Sequence, residues 1–511
     1  MKFKIRQYED IREYVKTLSL KELIYIITQP NYRIDDDIHN FSKTAFIHPN
    51  AYGKVKNIAD ILKKENANIL ITTDMEAGPG TALKGTPIFP SMRAAKETGD
   101  PHLAYLMGVS AAKYAKEAGI NWSFSPCVDI LLNHQSPITS LRSASEDTDE
   151  VITYASQYLM GMQEHGLLGT LKHFPGEGIT TYDQHLTTAA NSLTKEEWDQ
   201  TYRRVYTTLI EAGAASIMVA HISLGCYDEI DPLYGMYPPA SLSYNLITNL
   251  LIQDLGFEGI IISDATEMGG FCGYINYYEA CKRFLNAGGD ILLFTHPDEE
   301  FIKHMQSFID DHTLSIELLQ KKAYKILCFI RMYFETKFKE LPNFNSQEIA
   351  NQMVLKSAKV YRDRNQVLPI QKKADLKIAH FIFANQYDIA ASKQLTKALK
   401  KVVQTDEFFD LGPNEYKKIA KSNKYNYIIC STGCMASYGT NQIILTGTVA
   451  RNMMNGWTKY STPVIFVDMG NPYLHEEYPA MIDAIIYTYG VGDVTIDAII
   501  QLLFEGRIQG E

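Results

Sequence analysis

The chain has 511 residues, 46% of them hydrophobic, which is enough for more than one core, so two domains are expected and disorder is excluded as the default. A formal net charge of -10, from 59 acidic against 49 basic residues, excludes a broad nucleic-acid footprint, which would show as clustered Lys and Arg. The seven cysteines, Cys127, Cys226, Cys272, Cys281, Cys328, Cys430 and Cys434, are odd in number and scattered, mostly in apolar runs such as "KILCFI", and are expected as reduced thiols of a cytoplasmic chain.

The opening stretch, "MKFKIRQYEDIREYVKTLSLKELIYIITQ", alternates charged and apolar positions at helical spacing. It has neither an uninterrupted apolar run nor a small-residue cleavage site, so no signal peptide and no membrane span are expected. From about Asn66 to Thr295, short β-branched runs recur: "NANILITTDME", "INWSFSPCVDI", "LLGTLKHFPG", "ASIMVAHISL", "GIIISDATEM" and "GDILLFTHPD". Between them lie helical patterns such as "PHLAYLMGVSAAKYAKEAG" and "KEEWDQTYRRVYTTLIEAG", each with Gly at its C-terminal end. Strand followed by helix, repeated, predicts a parallel sheet covered by helices. Polar groups at the C-terminal ends of many strands favour a (β/α)8 TIM-type barrel over an open doubly wound sheet.

The pattern "SIELLQKKAYKILCFIRMYFE" closes this unit, placing a barrel domain at residues 1–340 and a linker segment at 341–374. A second strand-helix series at 375–511, with "DLKIAHFIFA", "YNYIICST", "TPVIFVDMG" and "DAIIYTYG" as buried strands, predicts a smaller α/β sandwich domain. It has no G-x-G-x-x-G after a strand, so no dinucleotide cofactor is assigned.

The chemistry concentrates in "LKHFPGEGITTYDQHLTT", Leu171 to Thr188, where titratable groups cluster around a Pro-Gly turn. Such groups are costly to bury without a purpose. On a barrel, this segment and Asp264, at the end of "GIIISDATEM", project onto one face, bringing a possible anionic nucleophile near an imidazole. Asp183 lies two residues before His185 and can hold the far ring nitrogen, fixing the tautomer and raising basicity. A capping role is the bland alternative for Asp264. Metal ligation competes for His173, His185 and Asp183, but neither H-E-x-x-H nor C-x-x-C spacing occurs in this run, so no metal is assigned. Cys430 and Cys434 form only a lone C-x-x-x-C and are expected in the core.

The composite "KHFPGEGITTYDQH" resembles the K-H-F-P-G-x-G-x(4)-D-x-H loop of glycoside hydrolase family 3, in its β-N-acetylglucosaminidase branch, and "IISDA" resembles that family's nucleophile strand. "TTDMEAG", "AGINWSFSPCVDI", "SLRSASEDTDEV", "KSAKVYRDRNQVLPI" and "VDMGNPY" are similar to further family segments in the same order. The resemblance implies a barrel followed by an α/β sandwich. It makes Asp264 the nucleophile and His185 with Asp183 the acid/base dyad, while Asp74, Arg142, Lys172 and His173 bind the sugar hydroxyls. The reaction implied is retaining exo-cleavage of a terminal β-linked N-acetylglucosamine from a small oligosaccharide, without a cofactor. A β-glucosidase-like hydrolase, a β-N-acetylglucosaminide phosphorylase and a non-catalytic sugar-binding protein are the alternatives. Histidine in place of a second carboxylate removes a charge that would repel phosphate, which keeps phosphorolysis open.

Two departures stand out. Pro79 and Ala82 occupy positions where the family segment carries arginines, which puts the substrate's hydroxyl pattern in doubt. Glu177 stands where that loop commonly has histidine, and is expected as a solvated charge.

Overall fold

The computed structural model describes residues 4–33, 42–51, 53–383, 389–434, 460–473 and 482–508. In chain order the first strands are β1 (Thr28–Gln29), β2 (Asn31–Tyr32), β3 (Thr44–Ile47), β4 (Leu70–Thr73), β5 (Trp122–Ser123) and β6 (Thr170–Phe174). They are followed by β7 (Ala189–Asn191), β8 (Ser216–Val219), β9 (Ile222–Leu224), β10 (Ile260–Ser263) and β11 (Leu292–Leu293). Parallel pairing runs β2-β3-β4-β5 and β6-β8-β10, and β11 returns to β1. Parallel bridges Trp122 to Leu168 and Ile262 to Ile291 join these arcs, and Pro30 is the single residue between β1 and β2. The result is a closed parallel barrel, with β7 and β9 pairing outside the ring.

Local sequence explains the helices around it. Asp100 caps Pro101–Ala118, Asp147 caps Thr148–Gln163 and Asn276 caps Tyr277–Ala287, each side chain accepting from first-turn backbone N–H groups. Gly119 and Gly213 end their helices in the left-handed conformation, as the sequence pattern requires. The "KEEWDQTYRRVYTTLIEAG" pattern is broken at Thr201 into Lys195–Gln200 and Tyr202–Ala212. Inside the barrel, Trp122 Nε1 donates to Thr170 Oγ1 at 2.8 Å and to Ser216 Oγ at 3.0 Å, so buried polar groups from three strands satisfy one another.

The second sheet runs β12 (Lys359–Asp363), β17 (Ala484–Thr488), β16 (Val464–Gly470), β15 (Tyr427–Cys434), β13 (Lys377–Ile382), β14 (Gln404–Phe409). It is parallel except for β12, an antiparallel edge strand. Helices Ile389–Val402 and Asp493–Glu505 cover one face. The chain is therefore a TIM-type barrel followed by an α/β sandwich. The stretch 341–374, which the sequence marks as a connector, carries helix Ser346–Ser357 and β12. Cys430 is buried, whereas the side chain of Cys434 lies outside the described residues. Among the described residues, no helix is long and apolar enough to cross a membrane.

Candidate active site

A cavity of about 550 Å³ opens at the C-terminal ends of the barrel strands, and Asp74, Arg142, Lys172, His173, His185 and Asp264 all line it. Asp183, the seventh residue singled out from sequence, sits directly behind His185 with its side chain fully buried. Its Oδ1 accepts from His185 Nδ1 at 2.6 Å and from the His185 backbone N–H at 2.8 Å. Because a carboxylate only accepts, the ring proton is on Nδ1, leaving Nε2 for the cavity side.

Lys172 and His173 are consecutive, and in a regular strand they would point to opposite faces. The pairing of β6 with β8 shifts register between Leu171 and Phe174, and both side chains reach the cavity. The turn that follows is set by backbone crowding. Gly176 and Gly178 have φ of 125° and 107°, and a Cβ on Gly178 would lie 2.1 Å from the Ile130 carbonyl oxygen.

One wall is an ion-pair network. Lys172 Nζ reaches Asp74 Oδ1 at 2.9 Å and Glu76 Oε1 at 2.5 Å, while Arg142 grips Glu76 bidentately, Nε and Nη2 each at 2.8 Å. Burial pushes the Glu76 pKa up, and Arg142 and Lys172 more than reverse this, leaving it well below the carboxylate range. For Lys172, burial acts downward, and Asp74 and Glu76 together hold it above its ordinary value. Arg142 Nη2 also donates to His173 Nε2 at 3.2 Å, and His173 Nδ1 donates to Asp129 Oδ2 at 2.7 Å.

Asp264 is held at the end of β10, its backbone N–H bonded to the Val219 carbonyl and its Oδ1 accepting from the Ala265 N–H at 2.8 Å. Burial raises its pKa, but the imidazoles of His173, His221 and His185 outweigh this and it falls below the ordinary carboxylate value. The side chain is thereby kept as an anion in a half-buried position on the cavity wall.

Four supporting residues escaped the sequence reading. Glu76 is the central acceptor of the cationic wall. Asp129 holds His173 and also accepts from the Glu177 N–H at 2.7 Å. His221, fully buried, accepts from Ser241 Oγ at 2.9 Å and donates to the Ala265 carbonyl at 3.0 Å, so it props the residue after Asp264; burial lowers its pKa to about 4. Gln184 Oε1 accepts the His221 N–H at 2.9 Å. The sequence signal for Glu76, Asp129 and His221 was position: each follows a barrel strand at its C-terminal end.

Two expectations change. Glu177 is no solvated charge: it is 2% exposed and lies beneath the cavity. Pro79 and Ala82, where arginines were expected, are buried in or beside a short 3-10 turn, and Thr81 between them faces the cavity instead. The guanidinium on this wall comes from Arg142.

The barrel with a polar, anion-bearing cavity at the C-terminal ends of its strands has the layout of a barrel enzyme's active site. The family model described as "Glycosyl hydrolase family 3 N terminal domain" matches residues 20–329, and the chain belongs to that family, the glycoside hydrolases of family 3. A Cellulomonas fimi protein named beta-N-acetylglucosaminidase/beta-glucosidase is 27% identical over 463 residues, covering 85% of this chain and 81% of its own. A beta-hexosaminidase of Haemophilus influenzae is 32% identical over 259 residues, 48% of this chain and 69% of that one. Among solved structures, a beta-glucoside phosphorylase, BglX, bound to 2FGlc superposes with a TM-score of 0.86 at 23% identity, covering 99% of this chain and 96% of that one. A family 3 beta-N-acetylglucosaminidase of Paenibacillus superposes at 0.79 with 19% identity, covering 96% of this chain and 97% of that one.

Proposed function

We propose that the protein is a retaining exo-β-glycosidase that removes terminal β-linked N-acetylglucosamine from small oligosaccharides. The observation that carries the proposal is the joint exposure of Asp264 and His185 to one cavity whose opposite features are fixed hydrogen-bonding groups. Asp264, kept anionic, attacks the anomeric carbon. A second proton on Nε2 makes the His185 ring a cation paired with the buried Asp183 carboxylate, and that Nε2 proton passes to the leaving oxygen, leaving the neutral ring with its proton on Nδ1. In the second half-reaction His185 takes a proton from water, and the sugar leaves Asp264 with its original configuration.

Asp74, Lys172, Arg142 and His173 grip the ring hydroxyls. With Asp74 and Glu76 together balancing Lys172 and Arg142, the wall presents directed donors rather than a bare positive field. The flanks of β10 are apolar at cavity level: Met218 on β8, Leu293 on β11 and the adjoining Phe294. The substituent on C2, next to the anomeric carbon, falls near Asp264, and an acetamido methyl there would bury apolar surface against these side chains. The names of the Cellulomonas and Haemophilus relatives support the same sugar. The free cysteines fit a cytoplasmic setting.

Phosphorolysis is the second reading, favoured by the imidazole acid/base, which carries no negative charge to repel a phosphate acceptor. The test is a panel of aryl β-N-acetylglucosaminide, glucoside, galactoside and xyloside, each with and without phosphate. The expected result is the highest kcat/KM on the N-acetylglucosaminide, with free sugar as product. Sugar phosphate as the main product would establish phosphorolysis, and inactivity on all four would refute both.

A further inference from the structure

We propose that Glu177 is a positioning residue that works as a neutral carboxylic acid, tying the segment of Lys172 and His173 to Gln184 in the loop that carries Asp183 and His185. Its effect on His185 rests on the role given to that residue above.

The geometry leaves no place for a carboxylate there. Glu177 Oε2 lies 3.7 Å from His173 Nδ1, but that N–H is already committed to Asp129 Oδ2 at the shorter distance of 2.7 Å. Gln184 Nε2 donates to Oε2 at 3.3 Å, and Oε1 is buried with no hydrogen-bond partner. Three other acids face it from separate elements: Asp129 from the stretch after β5, Asp183 from its own loop and Asp264 from β10. Arg142 is the facing cation, and its fork is occupied by Glu76. Tyr202 contributes a hydroxyl, directed to the Glu177 carbonyl rather than the side chain.

An unpaired carboxylate so placed would carry the full desolvation cost of a buried ion and repel Asp129 and Asp264, whereas the protonated acid carries neither. Burial first, and Asp129 next, move this carboxyl well above its ordinary range, in agreement with the geometry. Asp129, by contrast, accepts from the backbone N–H groups of His173 and Glu177, from His173 Nδ1 and from Cys127 Sγ, which fits an anion. The two adjacent acids therefore divide the roles.

What the neutral acid achieves follows from Gln184. Its amide nitrogen holds Glu177, its amide oxygen holds the His221 N–H, and its carbonyl accepts from the Gly270 N–H at 3.0 Å. Gln184 sits between Asp183 and His185, so these bonds hang the dyad loop between the β6 turn, the end of β8 and the segment after β10.

The experiment compares wild type, Glu177→Gln and Glu177→Ala. By infrared difference spectroscopy at neutral pH, wild type should show the carbonyl band of a protonated carboxylic acid, and Glu177→Gln should lack it; absence of the band from wild type would overturn the proposal. Glu177→Gln should retain kcat/KM within about twofold on both a natural disaccharide and an activated aryl glycoside. Glu177→Ala should lose about tenfold or more on the disaccharide and much less on the aryl glycoside, whose leaving group needs little protonation. Equal losses on both substrates, or a Glu177→Gln variant as impaired as Glu177→Ala, would overturn the positioning role. If wild type cleaves neither substrate, the glycosidase reading fails, and the infrared band still decides the state of Glu177.

Discussion

His185 Nδ1 stands 2.6 Å from Asp183 Oδ1, and the same oxygen accepts the His185 backbone N–H, so one buried acceptor fixes both the ring and the main chain of this residue. The arrangement dictates the tautomer and the orientation of the ring. Asp183→Asn should lower kcat on disaccharides about a hundredfold or more and spare activated aryl glycosides, because only the former depend on protonation of the leaving group. Steady-state kinetics on the two substrates check this; equal losses would make the pair structural.

For Asp264→Asn, turnover should fall about ten-thousandfold or more on every aryl glycoside, since an amide has no charge with which to attack. Thermal unfolding should remain cooperative, with a midpoint at or slightly below that of wild type, because a carboxyl held below its ordinary pKa contributes stability as an anion. In wild type the carboxyl lies below its ordinary value of 3.8, so it is ionised throughout the range above that value. Any acid limb of kcat/KM found above it belongs to another group, and a limb there that vanished only on changing Asp264 would contradict the assignment.

Glu76 joins two cations, and its loss should be costly. Glu76→Ala leaves Lys172 and Arg142 without their shared acceptor, and should destabilise the fold by about 3–5 kcal/mol and raise KM. Its folded-state pKa is depressed below the ordinary 4.5, so its contribution to stability is present above that value and lost as pH falls below it toward the folded-state pKa. Urea midpoints measured from about pH 6 to about pH 3 should decline less steeply in Glu76→Gln than in wild type. Parallel declines would show that Glu76 does not carry the linkage.

The sandwich domain reaches the site through a clamp on the Arg142 loop. Tyr473 Oη donates to Glu146 Oε1 at 2.6 Å, its ring stacks on His134 at 3.9 Å, and Arg93 Nη1 holds the other Glu146 oxygen at 2.8 Å. Glu146 is four residues beyond Arg142. Tyr473→Phe removes the hydroxyl and keeps the stack, and should raise KM about threefold with kcat nearly constant, a modest effect because Glu146 is partly exposed. A fall in kcat at unchanged KM would place the clamp's influence elsewhere.

The sequence exposed the strands set in apolar, β-branched runs bounded by turns, short ones such as β5 and β11 included. "GIIISDATEM" and "ASIMVAHISL" coincide with β10 and with β8 and β9. It concealed β1, β2 and β3, because the first two are two-residue strands separated by Pro30 and directly follow the helix Leu20–Ile27, whose apolar run masks them. In the sandwich, β14 was hidden for a different reason: its burial alternates with exposure, unlike the continuous apolar runs of its neighbours. Asp74 and Arg142 came from the family resemblance alone, whereas Lys172, His173, His185 and Asp264 were legible because they lie in one dense motif or at a strand end. Glu177 was not, since no local pattern distinguishes a buried acid from a solvated one; that depends on Asp129, Tyr202 and Gln184 closing over it. His221 was hidden likewise, its contacts lying with Ser241 and Ala265, distant in sequence.

The most direct test of the account is to trap the sugar on the enzyme. Incubation with a fluorinated N-acetylglucosaminide bearing a good leaving group, which slows breakdown of the covalent state more than its formation, should add one glycosyl unit to the protein. Mass spectrometry of the digested adduct should place that unit on the peptide containing Asp264, and the Asp264→Asn variant should remain unlabelled. Labelling of a different carboxylate, or hydrolysis with inverted anomeric configuration and no adduct, would contradict the account.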